Sequence, residues 1–162
     1  MLEVLHQGDT LRVYRYASLQ VQLFRGSVPV LRDLDAMARC IRQITAAHPN
    51  KLSVLTLLRD YRGLPNISKP YRDRLADLSK LIQADLLASA IVLDGDGLQV
   101  SMVRGIAAFA LNISRVKAQN KIFKSEAEAL PWLAACPGQT WEVQDNHVSL
   151  LAAVRQILRS ER

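Results

Sequence analysis

The sequence has few of the residues that build metal centres, disulfide frameworks or reactive thiols. Its 162 residues include two cysteines and three histidines. Cys40 and Cys136 match no disulfide or metal-ligand spacing, so each is expected to be a small buried hydrophobic residue in a reducing compartment. The histidines also lack the mutual spacing of a metal site. The sequence therefore predicts no metal and no other cofactor.

Long apolar runs and targeting signals are also missing from the sequence. The longest apolar stretch, from Ile106 to Leu111, is far shorter than the roughly 20 residues that a membrane-spanning helix needs. The first ten residues show no basic region followed by an apolar run, so they do not resemble a secretory signal. We expect a soluble cytoplasmic protein without a transmembrane segment.

Sequence motifs of catalysis are lacking, with one exception. The chain has no Gly-rich phosphate loop and no Gly-x-Ser-x-Gly elbow. The exception is Asp94-Gly95-Asp96-Gly97, which follows an apolar strand and resembles the opening motif of haloacid-dehalogenase-type phosphatases. In those enzymes the first Asp attacks phosphorus and the second is the acid/base, with Mg²⁺ between them. No later acidic pair completes a magnesium cage, so a tight turn is favoured. The prediction is a protein that is not an enzyme, with a magnesium-dependent phosphatase as the alternative.

Positive charge is in excess, with 21 Lys and Arg residues against 15 Asp and Glu residues. The segment from Gly97 to Ser125 contains no acidic residue. Its basic residues are Arg104, Arg115, Lys117, Lys121 and Lys124. We expect either a solvated basic surface or a site for an acidic ligand, such as a phosphate-bearing molecule or an anionic lipid headgroup. Aromatic residues are few (6%) and do not interleave with these positions, so nucleic-acid binding is not expected.

Patterns of apolar residues predict one α/β domain with the element order ββαβαβαβα and an extra C-terminal helix. Hydrophobic residues make up 49% of the chain, which suffices for a real core at this length. This order predicts a mixed sheet that opens with an antiparallel hairpin and continues through right-handed crossovers between buried strands. The predicted strands are a hairpin within residues 11–25 and single strands at 52–58, 90–93 and 121–123.

Helical spacing and punctuation locate the first two predicted helices. The first follows Pro29, which suits an initial helical turn, and stops near His48. The second begins at Ser68, and Pro70 falls within its first turn. The residues predicted to form its inner face are Leu75, Leu78, Ile82 and Leu86.

Capping patterns place two further helices near the C-terminus. Ser125 and Glu128 have the spacing of a capping box, which predicts a helix that runs through Leu133. Asp145 or Asn146 is the predicted cap of the last helix, because apolar residues at helical spacing follow them. This last helix forms a C-terminal extension at about 138–162, beyond a core at about 11–133.

A helix predicted from about Leu98 to Ile113 is apolar on almost every side. A helix on one face of a sheet normally keeps one polar stripe in contact with water. We therefore expect either deep burial against the C-terminal helix or a homodimer contact. The candidate dimer residues are Val100, Val103, Ile106 and Phe109.

The element order and the segment FKSEAEALPWL, from Phe123 to Leu133, resemble the STAS-like domains. This is the fold of sulphate transporters and anti-sigma-factor antagonists, here in its small stand-alone bacterial branch. The turn at Gly95-Asp96-Gly97, before an apolar helix, is similar to the corresponding turn of that family. The resemblance covers residues 11–133 and implies a single STAS-like domain over residues 1–162.

The resemblance implies a non-enzymatic regulatory or interaction module that binds a protein partner or a small ligand in signalling. In anti-sigma-factor antagonists a serine at the start of the second helix is phosphorylated, and by topology this place lies near Ser68. The surrounding residues do not match the usual Asp-Ser-x-Gly pattern, so a plain helix N-cap is favoured over a phosphosite. A phosphate at Ser68 would find Arg62, Lys69 and Arg72 nearby in sequence.

Overall fold

The computed structural model of the chain describes residues 1–26, 30–59, 68–93 and 118–160. These residues form a six-stranded sheet in which the strands lie side by side in chain order. The strands are β1 (Glu3–Gln7), β2 (Leu11–Tyr16), β3 (Leu19–Arg25), β4 (Leu52–Arg59), β5 (Leu86–Leu93) and β6 (Gln119–Phe123). The helices of the described residues are α1 (Leu31–Ala47), α2 (Lys69–Asp85), α3 (Glu126–Ala134) and α4 (Trp141–Ser160).

The sheet has an antiparallel half and a parallel half. Strands β1, β2 and β3 pair antiparallel, whereas β3, β4, β5 and β6 pair parallel. Ala17 takes the left-handed conformation (φ 48°) in the two-residue turn between β2 and β3, so the hairpin closes without an Asn-Gly pair. The mixed sheet with its opening hairpin, predicted from the sequence, is confirmed.

Each face of the sheet buries its own hydrophobic core, because alternate residues of a strand point to opposite faces. The first core joins α3 and α4 to one face, and Leu55 of β4 and Leu130 of α3 are fully buried in it. The second core joins α1 and α2 to the other face, around Leu52 and Ile41. The C-terminal helix that the resemblance left out is therefore part of a main core, which contains its residues Val143, Leu150, Val154 and Leu158.

Strand β1 is an element that the sequence analysis did not predict. Its residues are mostly exposed, so they lack the alternation of a half-buried strand. Pairing with β2 creates this edge strand, and a register irregularity lies between Val4 and His6. Strand β5 also begins at Leu86 rather than at the predicted Ala90.

Three finer predictions about the helices are wrong. Leu75 is 37% exposed and Leu86 belongs to β5, so neither lies on the inner face of α2; Leu78 is the buried residue there. Ser125 precedes α3 as predicted, but its side chain makes no capping hydrogen bond. Helix α4 begins at Trp141, which makes Asp145 and Asn146 interior residues rather than caps. The side-chain amide of Asn146 donates to the backbone carbonyl of Glu142 at 2.8 Å. Asn146 therefore bonds to the preceding turn of the helix rather than capping the helix N-terminus.

Candidate functional site

Two adjoining cavities lie at the edge of the sheet where the parallel strands end, which we call the carboxyl edge. Ligands of open α/β sheets bind outside this edge. The larger cavity, of about 170 Å³, is lined by Arg59, Glu126, Arg155, Leu158 and Arg159. The smaller, of about 120 Å³, is lined by Leu57, Leu58, Arg59, Val92, Lys124, Ser125, Glu126 and Leu158. Because the two cavities share lining residues, they form one candidate site.

Three elements bring the basic residues of this site together. Arg59 is the last residue of β4, and Lys124 lies between β6 and α3. Arg155 and Arg159 come from the last turns of α4, which packs against α3. A ring contact fixes the turn that carries Lys124, because the buried Phe123 packs on Trp132 with 5.3 Å between ring centroids.

The site is basic, with one carboxylate among its described lining residues. That carboxylate is Glu126, whose Oε1 accepts a hydrogen bond from Nε of Arg155 at 3.1 Å. Glu126 lies in the first turn of α3, where negative charge is favoured by the helix dipole. Lys124 and Arg159 are exposed and form no ion pair with described residues. Chemically, the arrangement can hold an anion.

The opposite edge of the sheet, which we call the amino edge, is closed by a buried polar network. The side chain of Gln139 lies at its centre and uses every hydrogen-bonding position. Its amide nitrogen donates to Ser53 Oγ at 2.8 Å and to the carbonyl of Leu133 at 3.1 Å. Its oxygen accepts from Ser18 Oγ at 3.1 Å and from the backbone N–H of Thr140 at 3.0 Å. The network therefore ties the start of α4 to the sheet and leaves no group of Gln139 for a ligand.

A second buried polar cluster closes the carboxyl edge over the antiparallel half of the sheet. Asp33, in the first turn of α1, is 1% exposed and contacts Nε2 of His6 at 2.9 Å and Oγ1 of Thr10 at 2.8 Å. Gly8 fits between them, because an added Cβ would lie 2.5 Å from the Asp33 carboxylate. This clasp joins the β1–β2 turn to α1. Sequence reasoning missed it because its members lie 23 and 27 residues apart.

Residues that the sequence analysis singled out are separated by the structure. Lys124 lines the smaller cavity, whereas Lys121 lies over the Phe123 ring with its Nζ 5.2 Å from the centroid. Arg155, Arg159 and Glu126 were not singled out, since they belong to segments that only the fold brings together with Lys124.

Ser68 is the N-cap of α2, as favoured from the sequence. Its Oγ accepts from the backbone N–H of Tyr71 at 3.4 Å, and Pro70 follows within the first turn. Lys69 forms an exposed ion pair with Asp73 at 2.8 Å. The phosphosite hypothesis for Ser68 stays a prediction.

Other predicted site residues lie outside the described residues. They are the motif residues Asp94 and Asp96, the basic residues Arg104, Arg115 and Lys117, and the dimer candidates Val100, Val103, Ile106 and Phe109. The helix predicted over 98–113 lies there too.

Both cysteines are buried free thiols, as the sequence predicts. Burial raises the pKa of the Cys40 thiol and of the Cys136 thiol above the ordinary value. Within the described ranges, no group of three or more His, Cys, Asp and Glu side chains could hold a metal ion. Nor is any helix in those ranges long and apolar enough to cross a membrane.

Comparison with known proteins identifies the fold. No protein-family model matches the chain, and no curated protein sequence matches it. It is similar to the crystal structure of an uncharacterized DUF3478-family protein with a SpoIIAA-like fold from Shewanella loihica PV-4. The TM-score is 0.54 at 17% sequence identity, over 82% of this chain and 95% of that one. The chain therefore has a SpoIIAA-like, STAS-like fold.

Proposed function

We propose that this domain is a cytoplasmic, non-enzymatic regulatory or interaction module that binds an acidic ligand or the acidic group of a protein partner at its carboxyl edge. The observation that carries the proposal is the pair of basic cavities at this edge, lined by Arg59, Lys124, Arg155 and Arg159. The SpoIIAA-like fold supports a module of this kind by analogy with the anti-sigma-factor antagonists it resembles.

The charges of the site favour an anion. Glu126 neutralises Arg155 through their ion pair, whereas Lys124 and Arg159 keep exposed cationic groups. Cations beside a helix N-terminus form a favourable setting for phosphate or carboxylate oxygens. An incoming anion would therefore gain charge-assisted hydrogen bonds without displacing the Arg155–Glu126 pair.

The sizes of the cavities limit what the site can enclose. Pockets that bury a drug-sized molecule have volumes of roughly 300–1,000 Å³. At about 170 and 120 Å³, the two cavities fit a small anionic group rather than a whole organic cofactor. The rest of the ligand or partner would stay outside the sheet.

Calorimetric titration with inorganic phosphate tests the proposal. We expect binding that weakens as salt increases, because the site is exposed to screening. The double variant Lys124→Gln/Arg159→Gln should lose about tenfold or more in affinity, which corresponds to roughly 1.4 kcal/mol. A matched control removes two exposed basic residues from α2, as Arg72→Gln/Lys80→Gln, and should bind as the wild type does. Equal affinity of both double variants would refute the proposed site.

A phosphatase assay tests the non-enzymatic part of the proposal. The wild type and the Asp94→Asn variant are incubated with p-nitrophenyl phosphate and Mg²⁺. We expect no turnover above background in either sample. Hydrolysis by the wild type that Asp94→Asn abolishes would instead establish the magnesium-dependent phosphatase, with Asp94 as the nucleophile and Asp96 as the acid/base.

A further inference from the structure

The outer face of α4 carries an exposed stripe that the core does not use. Its residues follow one another at alternating intervals of four and three, so they lie in line along the helix. They are Trp141, Asp145, Val148, Ala152, Arg155 and Arg159, and all six are exposed. Two of these side chains are large, apolar and solvent-exposed: Trp141 is 66% exposed and Val148 is 68% exposed.

The α4 stripe is self-complementary about its centre. Asp145 lies in its first half, the apolar residues Val148 and Ala152 in its middle and both arginines in its second half. Positions 145 and 155, 148 and 152, and 141 and 159 are equally distant from Leu150. In a twofold interface, residue i of one protomer contacts residue j of the other and the reverse contact also forms. An antiparallel copy of α4 therefore places opposite charges together at both ends.

We propose that a second copy of this chain docks on the α4 stripe with its own α4 running antiparallel. Asp145 then faces the partner's Arg155 on both sides of the axis, and Val148 packs against the partner's Ala152. The ring of Trp141 meets the guanidinium of the partner's Arg159, a pair that attracts through cation–π interaction. Antiparallel packing also brings the positive end of each helix dipole near the negative end of the other.

Arg155 can serve the new contact and its existing one. It uses Nε for Glu126 of its own chain, and its side chain is 48% exposed. A guanidinium has five N–H donors, so its terminal nitrogens remain for a second carboxylate. Ala152 contributes by its small size, because a methyl side chain at the crossing point lets two helices approach closely.

The contact is small, which sets the strength of the dimer. The α4 stripe spans about 27 Å at 1.5 Å per residue, and a single pair of such helices buries less than the roughly 1,200 Å² of a stable interface. We expect a concentration-dependent dimer with a dissociation constant on the order of 100 μM. Arg155 and Arg159 belong to both surfaces, whereas Asp145 and Val148 line neither cavity of the carboxyl edge, so substitutions at these two positions test the dimer separately from the proposed anion site.

Sedimentation equilibrium between about 5 μM and 1 mM tests the inference. The wild type should pass from monomer to dimer across this range. Asp145→Arg places like charges opposite each other twice, so dimerisation should weaken by about tenfold or more. The charge-exchanged variant Asp145→Arg/Arg155→Asp should recover part of the lost affinity, because it restores opposite charges across the interface but breaks the pair of Arg155 with Glu126. Asp77→Arg, the same charge change on α2 across the sheet, should dimerise as the wild type does.

Each other result overturns the proposal. A wild type that stays monomeric at 1 mM excludes the dimer, and a dimer that Asp145→Arg leaves intact uses another surface. If the charge-exchanged variant remains as weak as Asp145→Arg while thermal denaturation shows that both are folded, the antiparallel register is wrong. Val148→Glu provides a second test. It places a charge near the twofold axis and should weaken dimerisation, and it leaves the Arg155–Glu126 pair intact.

Discussion

The two edges of the sheet differ in whether their polar side chains are paired with one another. At the amino edge, uncharged side chains from three segments satisfy one another around the buried Gln139. At the parallel part of the carboxyl edge, charged side chains surround open cavities, and two of the cations have no ion-pair partner among the described residues. A satisfied neutral network stabilises a fold, whereas unused exposed charge is available to a ligand.

This difference assigns separate roles to the two edges. The amino edge holds α4 on the sheet and so fixes the positions of Arg155 and Arg159, which lie near the far end of the same helix. At the carboxyl edge those arginines lie beside Lys124, where we propose that an anion binds. Substitutions at the amino edge should therefore change stability, and substitutions at the carboxyl edge should change binding.

The largest expected effect is at the amino edge. Gln139→Leu would leave Ser53 and two backbone groups without their partners and remove one of the two hydrogen bonds of Ser18, at a cost of about 3 kcal/mol in the free energy of unfolding. Urea denaturation followed by circular dichroism measures this value. Gln144→Leu, an exposed position on α4, is the control and should change stability little. Similar losses in both variants would show that the network does not stabilise the fold.

A smaller loss of stability is expected at the clasp over the antiparallel half. Asp33→Ala removes the common acceptor of His6 and Thr10 and should lower the free energy of unfolding by about 2 kcal/mol. The control is Asp9→Ala, because the Asp9 side chain is 93% exposed and its ion pair with Arg32 lies at the surface. The clasp would lose its assigned role if both variants unfolded at the same urea concentration.

Removing charge from the open carboxyl edge should have a still smaller effect on stability. The free energy of unfolding of Lys124→Gln/Arg159→Gln is expected to stay within about 0.5 kcal/mol of the wild-type value, as is usual for exposed positions. The same urea denaturation as above measures it. A loss comparable to that of Gln139→Leu would contradict the division of roles between the edges.

The smallest expected effect on stability comes from the thiol of Cys136, which lies beside the amino edge. Burial raises the pKa of Cys136, whose carbonyl accepts from the N–H of Gln139. The folded chain therefore keeps this proton when the unfolded chain ionises near 9.0, so its contribution to stability is present below that pH and is lost as pH rises through the folded pKa. We expect slow alkylation of Cys136 in the native Cys40→Ala variant and rapid alkylation in urea. Rapid native alkylation would mean that water enters the amino edge.

Local patterns were sufficient to predict much of the fold. The alternation of Leu19, Val21 and Leu23 and the helical spacing of residues 31–44 reflect contacts with one sheet face, so the hairpin and α1 could be predicted. Strand β1 could not, because an edge strand gains its structure from pairing with β2 rather than from its own pattern. The start of α4 was also missed, since Gln139 and Thr140 are buried by distant partners.

The candidate site was less predictable than the fold. Lys124 could be singled out because it belongs to a basic segment without acidic residues. Arg59 and Arg155 lie 96 positions apart in sequence and meet only because β4 ends where the last turns of α4 pass. Charge that is collected by tertiary structure leaves no local pattern in the sequence.

The most direct test of the account is the location of anion binding, measured by titrating inorganic phosphate into ¹⁵N-labelled protein and recording amide chemical shifts. We expect shifts that saturate at Arg59, from Lys124 to Glu126 and from Arg155 to Arg159, with no comparable change at Ser18, Ser53 or Gln139. Shifts at the amino edge, or none that saturate at the carboxyl edge, would contradict it.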